Sequence, residues 1–442
     1  MEIYRNDNTI LEKDGKQIEN LTITSGIRQG CNGSTILFLM ITYVIIEEIT
    51  KMKIGIKVNE INVATLFFAD DGLLLTNKVE DTKKIIEKLE EIGEICGLQV
   101  NKDKSNHIIN INNQNIESIN NIKVVNSIKY LGIKINEGRN CFKEQKKEKI
   151  MSAKHYSNMM MTIIARSSIK LMIGKTYWKN VILPEVLYGA EVVTYNKNEI
   201  ADLQKAENQA YRQILGAPRY SPVCALRAEI GSSLMESRDK VNKINFTKHI
   251  LQSENELLSS ISELDFNDKT TKLSKTVHKY MEELNLNKAD LLNKNKQQLK
   301  NLVTALDSEK WNEERNSKST LAIYNRFKTS IKEENEIYDN SEESKLLFKA
   351  RTNTLNLKWR DRFRPNSEIL DRYCPMCLQE EETLEHFLLS CQSTTRIREK
   401  HEFWDSGNPD RMLATILCFS KERGGKKMLK DLWNFRKRAT SD

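Results

Sequence analysis

The spacing of hydrophobic positions divides the chain into an N-terminal part with short strands and a longer part that is helical. Up to about residue 136, short apolar runs that suit strands alternate with helical patterns. The clearest helix has apolar positions at Ile85, Leu89, Ile92 and Cys96, and we expect it to end at Gly97. This alternation predicts an α+β domain in which helices cover one face of an antiparallel sheet.

From about residue 141 onward the apolar positions follow helical spacing. One stripe consists of Ile200, Leu203, Ala206, Ala210 and Ile214. Gly216 should end this helix. Between Gly231 and Pro365 there is neither a Gly nor a Pro, so we predict long helices joined by polar loops there. Residues 333–344 are polar enough to predict local disorder.

Two adjacent carboxylates, Asp70 and Asp71, lie at the tip of a predicted β-hairpin. Residues 63–68 and 73–76 are rich in β-branched, aromatic and aliphatic side chains, and Asp70-Asp71-Gly72 is expected to form the turn. Two like charges this close favour a cation between them, and Mg²⁺ prefers oxygen ligands. From these residues alone, a metal site and a solvated loop remain equally open.

A second group of candidate ligands lies near the C-terminus. Cys374, Cys377, His386 and Cys391 have the spacing C-x2-C-x8-H-x4-C. Three thiolates and an imidazole suit a closed, structural Zn²⁺ site. The alternative is a chance grouping of core cysteines.

A basic segment with an interleaved aromatic residue precedes these ligands. Its members are Lys358, Trp359, Arg360, Arg362, Arg364 and Arg372. Such a segment is suited to phosphate contacts and base stacking. A solvated basic face is the alternative.

Length and composition limit the number of domains, the kind of partner and the cellular compartment. The 442 residues allow two to four domains, and the net charge of +8 suits a polyanionic partner. The eight cysteines are mostly dispersed, which favours a reducing compartment over a disulfide framework. The start of the chain lacks a secretory signal, and the apolar run 35–46 is too short to span a bilayer. We therefore expect an intracellular protein, nuclear or cytoplasmic, with no membrane partner.

Four motifs occur in the order found in reverse transcriptases, and most closely resemble those of non-LTR (LINE-like) retrotransposons. They are Gly26-Ile27-Arg28-Gln29-Gly30, Ala69-Asp70-Asp71, Gly97-Leu98-Gln99-Val100-Asn101-Lys102-Asp103-Lys104 and Tyr130-Leu131-Gly132. The C-terminal cysteine and histidine residues also resemble the CCHC knuckle of these elements. The resemblance implies an RNA-directed DNA polymerase, acting on an RNA template, a DNA target or primer, and dNTPs.

The resemblance also implies a domain organisation. A partial polymerase palm would occupy residues 1–136, with an antiparallel sheet backed by helices, and an all-helical thumb residues 137–237. A helical connector, partly disordered, would follow at 238–345. Residues 346–442 would hold the small zinc knuckle, the basic segment and a C-terminal helix.

The resemblance assigns roles to individual residues. Asp70 would bind catalytic Mg²⁺ with support from Asp71, and Lys104, or nearby Lys102, would protonate the leaving pyrophosphate. Arg28, Gln29 and Gly30 would contact the nucleotide or template. Tyr130, Leu131 and Gly132 would form the primer grip. Zn²⁺ would be structural.

One expected element of such a polymerase is not found in the sequence. The family uses a third carboxylate on a strand that precedes the G-x-R-Q-G motif, whereas Asp7 and Asp14 lie in turn-like contexts. We therefore expect a polymerase fragment that is inactive alone, with an exposed palm edge that promotes self-association. The alternatives are a non-catalytic nucleic-acid-binding remnant, acting through thumb, basic segment and knuckle, and a product with no activity.

Overall fold

The computed structural model describes residues 7–23, 26, 30–58, 61–109, 116–165, 170–333, 338, 341–418 and 424–440. The chain divides into two compact units, Met1–Gln145 and Lys146–Asp442. This division is coarser than the predicted boundaries at 136, 237 and 345, which stay predictions.

The first unit combines short strands with two long helices. Its elements are β1 (Asp7–Lys13), β2 (Lys16–Ile23), α1 (Asn32–Lys51), β3 (Ile56–Val58), β4 (Ile61–Val63), β5 (Thr65–Phe68), β6 (Asp71–Leu74), α2 (Val79–Cys96), β7 (Asn106–His107), β8 (Ser118–Ile119), β9 (Ile122–Val124), β10 (Ser127–Tyr130) and β11 (Ile133–Asn136).

The strands pair in small separate sheets. Four are antiparallel pairs of consecutive strands: β1–β2, β3–β4, β5–β6 and β10–β11. In the fifth, β9 lies between antiparallel β8 and parallel β7. The α+β prediction is confirmed in general terms. The prediction of one antiparallel palm sheet is wrong for the part of the chain that the structure describes, because most strands are two to four residues long and pair only locally.

Helices α1 and α2 supply the core of the first unit. Ile45 and Ile49 of α1 are buried with Ile85 and Ile92 of α2 and with Ala64. Helix α2 ends as predicted, because the next residue, a glycine, adopts φ +72°.

Helix α1 also exposes large apolar side chains. They are Ile36, Leu37, Leu39, Met40, Tyr43 and Val44. Within the described ranges, α1 is the one helix whose length and composition would allow a membrane crossing, from Gly33 to Lys51. The apolar run 35–46 lies inside this longer helix, which passes the length test only together with the residues on either side of the run. Burial of Ile45 and Ile49 in a core makes it weak evidence for a span.

The second unit is helical, and α3 spans the division between the units. The α-helices are α3 (Lys143–Ala165), α4 (Lys170–Tyr177), α5 (Leu183–Val186), α6 (Lys197–Leu215), α7 (Val223–Ile230), α8 (Met235–Leu251), α9 (Glu256–Asp268), α10 (Lys272–Glu283), α11 (Lys288–Asn293), α12 (Lys296–Asn316), α13 (Ala322–Phe327), α14 (Glu342–Arg351), α15 (Thr395–Glu399), α16 (Pro409–Leu417) and α17 (Gly425–Ala439). The π-helices are Trp178–Ile182 and His386–Ser390, and the 3-10 helices are Ser319–Leu321, Lys358–Phe363, Leu370–Arg372 and Gln392–Thr394.

Helix α6 forms where its apolar stripe predicts it. A capping box between Asn196 and Glu199 starts the helix, and Gly216 with φ +61° ends it. The predicted disordered stretch 333–344 falls partly outside the described residues.

The second unit is held together by several apolar clusters and by buried ion pairs between distant residues. Trp311 of α12 packs in one cluster with Cys224 and Ala228 of α7. The same two helices are joined by an ion pair. The guanidinium of Arg227 in α7 contacts the carboxylate of Asp307 in α12 at 2.6 Å, and both side chains are almost fully buried. The packing therefore depends on residues that are far apart in sequence.

Candidate functional site

The predicted acidic hairpin is formed by β5 and β6, with a turn that differs from the prediction. Phe68 pairs with Asp71, so Ala69 and Asp70 form the two-residue loop, and Ala69 has φ +52°. Gly72 lies in β6 opposite Phe67 rather than in the turn. A Cβ at Gly72 would lie 2.6 Å from Cε1 of Phe67, so the glycine is required for the ring to lie across the hairpin.

Asp70 and Asp71 are exposed at the tip of this hairpin. A two-metal polymerase site needs further carboxylates, since each ion takes several oxygen ligands. Among the residues that the structure describes, these two belong to no group of three or more Asp, Glu, His or Cys at metal-binding distance. The described residues therefore do not complete a site for two Mg²⁺ ions.

The structure brings the predicted primer-grip tyrosine to the same hairpin. The β10–β11 turn consists of Leu131 and Gly132, which both have positive φ, as a type I′ turn requires. The hydroxyl of Tyr130 lies 3.5 Å from the carbonyl oxygen of Leu66. Burial and, secondarily, the negative charge of Asp71 raise the pKa of Tyr130. Two segments about sixty residues apart thus meet beside the carboxylates.

The other residues predicted for this site are only partly described. Gly30 lies just before α1 with φ +82°, whereas Arg28 and Gln29 lie outside the described residues. Lys102 pairs with Glu90 at 2.5 Å, and the Lys104 side chain is exposed. Of the two candidate acids, Lys102 is held in an ion pair and Lys104 is exposed to solvent. The catalytic role of Lys104 stays a prediction.

In the second unit, the four predicted zinc ligands come together. The ligand atoms of Cys374, Cys377, His386 and Cys391 all lie within 4.8 Å of one another. The sulfurs of Cys374 and Cys391 are 3.8 Å apart, and the Cys377 sulfur is 3.4 Å from Nε2 of His386. Tetrahedral zinc, with bonds of about 2.3 Å to sulfur and about 2.0 Å to nitrogen, places neighbouring sulfurs about 3.8 Å apart and a sulfur and a nitrogen about 3.5 Å apart. The donor set therefore fits a closed zinc site.

Two local structures position these ligands. A turn after Cys374 is closed by the Leu378 amide, which donates to the Cys374 carbonyl oxygen, and Leu378 has φ +57°. His386 starts a π-helix, and the Cys391 amide donates to the His386 carbonyl oxygen. This turn is wider than that of an α-helix, and π-turns are frequent at functional sites.

The electrostatics of the cluster favour a thiolate. The hydrogen bond from Cys374, followed by that from His386, holds the pKa of Cys391 below its usual range, and the same contact raises the pKa of Cys374. The hydrogen bond with Cys391, followed by that with Glu380, raises the pKa of His386 to about 9. Thiolate is the form that binds zinc.

The basic segment is less exposed and less basic than predicted. Trp359 is only 6% exposed and packs in the core, so it cannot stack on a base in this conformation, and Phe363 at 64% is the exposed aromatic residue. Asp361 pairs with Lys358 and Arg364. The five basic side chains in residues 358–381 are accompanied by five acidic ones. The predicted basic, aromatic surface is therefore a mixed-charge surface.

The three remaining basic residues of the segment differ in what their guanidiniums contact. Arg362 pairs with Glu381 at 3.3 Å. The Arg360 guanidinium lies 4.3 Å from the Tyr220 ring centroid and donates to the Asn353 carbonyl oxygen. The Nε atom of Arg372 is buried, with no hydrogen-bond partner in the described part of the chain. The guanidiniums of Arg360 and Arg362 thus make contacts within the protein itself.

In the first unit, two adjacent carboxylates lie at the tip of one hairpin, and a tyrosine of another hairpin contacts that same hairpin. Residues 4–135 match the family model described as Reverse transcriptase (RNA-dependent DNA polymerase). The match supports an RNA-directed DNA polymerase-like function for this region. Proteins of this family bind nucleic acid and generally use Mg²⁺.

Proposed function

We propose that the chain is a nucleic-acid-binding protein of the reverse-transcriptase type from a non-LTR (LINE-like) retrotransposon. The observation that carries the proposal is the Asp70-Asp71 hairpin with Tyr130 beside it, inside the segment that matches the family model. The order of the four motifs and the C-terminal cysteine and histidine residues support the non-LTR assignment. An RNA template paired with a DNA primer is the proposed ligand.

The proposed protein binds this ligand but synthesises little DNA as the 442-residue chain. Asp70 lies in the hairpin loop and Asp71 is the first residue of β6, and in the described part of the chain neither belongs to a group of three or more candidate ligands. Tyr130 and the turn after it would support the primer strand. Contacts to phosphates would come from exposed lysines such as Lys104.

Primer–template binding and primer extension test this proposal separately. We expect a fluorescent RNA–DNA duplex to bind with an affinity that falls as salt rises, because phosphate contacts release counterions. We expect primer extension with Mg²⁺ or Mn²⁺ to be at background level. Absence of binding would overturn the proposal of a nucleic-acid partner.

Aspartate variants test the proposal that the 442-residue chain synthesises little DNA. Asp70→Ala removes a proposed metal ligand, and Asp103→Ala removes an exposed carboxylate of the same unit as a matched control. Robust synthesis that Asp70→Ala abolishes and Asp103→Ala retains would show a complete catalytic site, contrary to our expectation.

We also propose that Cys374, Cys377, His386 and Cys391 hold one structural Zn²⁺. Cys377→Ser should reduce zinc content well below one equivalent, because serine is a poor zinc ligand. Cys96→Ser makes the same change at a half-buried cysteine of α2 and should retain the metal. Metal analysis of the purified proteins measures this. Equal zinc content in Cys377→Ser and the parent chain would contradict the assignment.

A further inference from the structure

Three consecutive glutamates before the π-helix have three different partners. Glu382 is buried and accepts hydrogen bonds from Arg436 of α17 at 2.6 and 2.8 Å. Glu381 pairs with Arg362. Of the three, Glu380 is the one that hydrogen-bonds to the cysteine–histidine cluster within the described part of the chain, and it does so twice.

The two contacts of Glu380 reach two different ligand residues. Its carboxylate oxygen lies 2.8 Å from Nδ1 of His386. Its backbone carbonyl oxygen accepts the Cys374 amide at 2.8 Å. The backbone at this position is further fixed by the bridge between Tyr373 and Glu381. An exposed carboxylate is thereby held against the imidazole by the same segment that supports a cysteine ligand.

This contact determines which imidazole nitrogen is available to a metal. An ionised carboxylate accepts hydrogen bonds and cannot donate them, so Nδ1 of His386 must carry the proton. In the neutral ring Nε2 then has the free lone pair. Nε2 is the atom that lies 3.4 Å from the Cys377 sulfur, inside the cluster.

We propose that Glu380 is a positioning residue that fixes the tautomer and orientation of His386 for zinc. The inference rests on the proposed zinc site and adds to it a residue outside the four ligands. The other candidate acceptor, the Ser390 hydroxyl, lies farther from Nδ1, at 3.4 Å. A hydroxyl can donate as well as accept, so it does not impose one tautomer.

Zinc affinity, measured by competition with a chromophoric chelator on the full chain, tests the proposal. We expect Glu380→Ala to weaken zinc binding by about 10–100-fold, the usual effect of losing an outer-shell partner. Glu381→Ala is the matched control, since it removes the neighbouring carboxylate, and Ser390→Ala removes the alternative acceptor. Both should bind zinc as the parent chain does.

Nitrogen-15 NMR of the zinc-loaded protein supplies a readout that a purely structural role would not move. The parent chain should show a protonated Nδ1 on His386, and Glu380→Ala should lose or shift that signal while the fold is retained. Equal affinity and an unchanged signal in Glu380→Ala, with a parent chain that binds one zinc, would overturn this inference alone. A parent chain that binds no zinc would overturn the proposed site as well.

Discussion

The two units differ in which side chains they bury and which they expose. In the first unit, Tyr43 of α1 and Phe68 of β5 are 66% and 65% exposed, and the strands pair in small ladders. In the second unit, charged side chains such as Arg227 and Asp307 are buried in pairs, and separate apolar clusters surround them.

This difference shows what stabilises each unit. Ladders of four residues contribute little stability unless a face is covered, and β5 pairs only with β6 in the described part of the chain. The second unit has long capped helices that bury their apolar stripes, as α6 does with Leu203, Ala206 and Ile214. We therefore expect the hairpin that carries the candidate catalytic residues to lie on the less stable unit.

The largest expected effect is a contrast in hydrogen exchange. Amides of residues 66–75 should exchange through local opening, whereas those of Lys197–Leu215 should approach the protection set by unfolding of the second unit. The opening free energies should differ by about 5 kcal/mol or more, as between a short exposed ladder and a core helix. Exchange followed by mass spectrometry on the full chain measures both segments together.

Self-association is the necessary control for this measurement. The open edge of β5 and exposed residues such as Leu66 and Phe68 could recruit another strand and so raise protection. Sedimentation at the same concentration shows whether the sample is monomeric. Strong protection of residues 66–75 in a monomer would contradict the expectation that the hairpin lies on the less stable unit.

Local signals in the sequence were sufficient for several elements. The apolar stripes of α2 and α6 and the glycines that follow them predicted both helices and their ends. The strand pattern around Asp70 predicted the hairpin, although the turn lies one residue earlier than predicted and Gly72 pairs with Phe67 in the ladder. Cysteine and histidine spacing predicted the cluster, since C-x2-C places two ligands in one turn.

Long-range contacts account for what local signals could not predict. Three consecutive glutamates look alike in the sequence, and only their partners His386, Arg362 and Arg436 distinguish them. Trp359 looks like a stacking residue beside arginines, yet the core needs its ring. A carboxylate six residues before a candidate histidine ligand is the one signal that could have drawn attention to Glu380.

A smaller effect is expected from the buried pair that joins α7 to α12. Asp307→Asn leaves Arg227 buried without a counter-charge and should lower the free energy of unfolding by about 3–5 kcal/mol. All five tryptophans lie beyond residue 145, so tryptophan fluorescence during urea unfolding reports on the second unit alone. Glu263→Gln, which breaks the exposed pair with Lys288, is the control and should change little. If the two variants lose equal stability, buried charge pairing is not what distinguishes the second unit from the first.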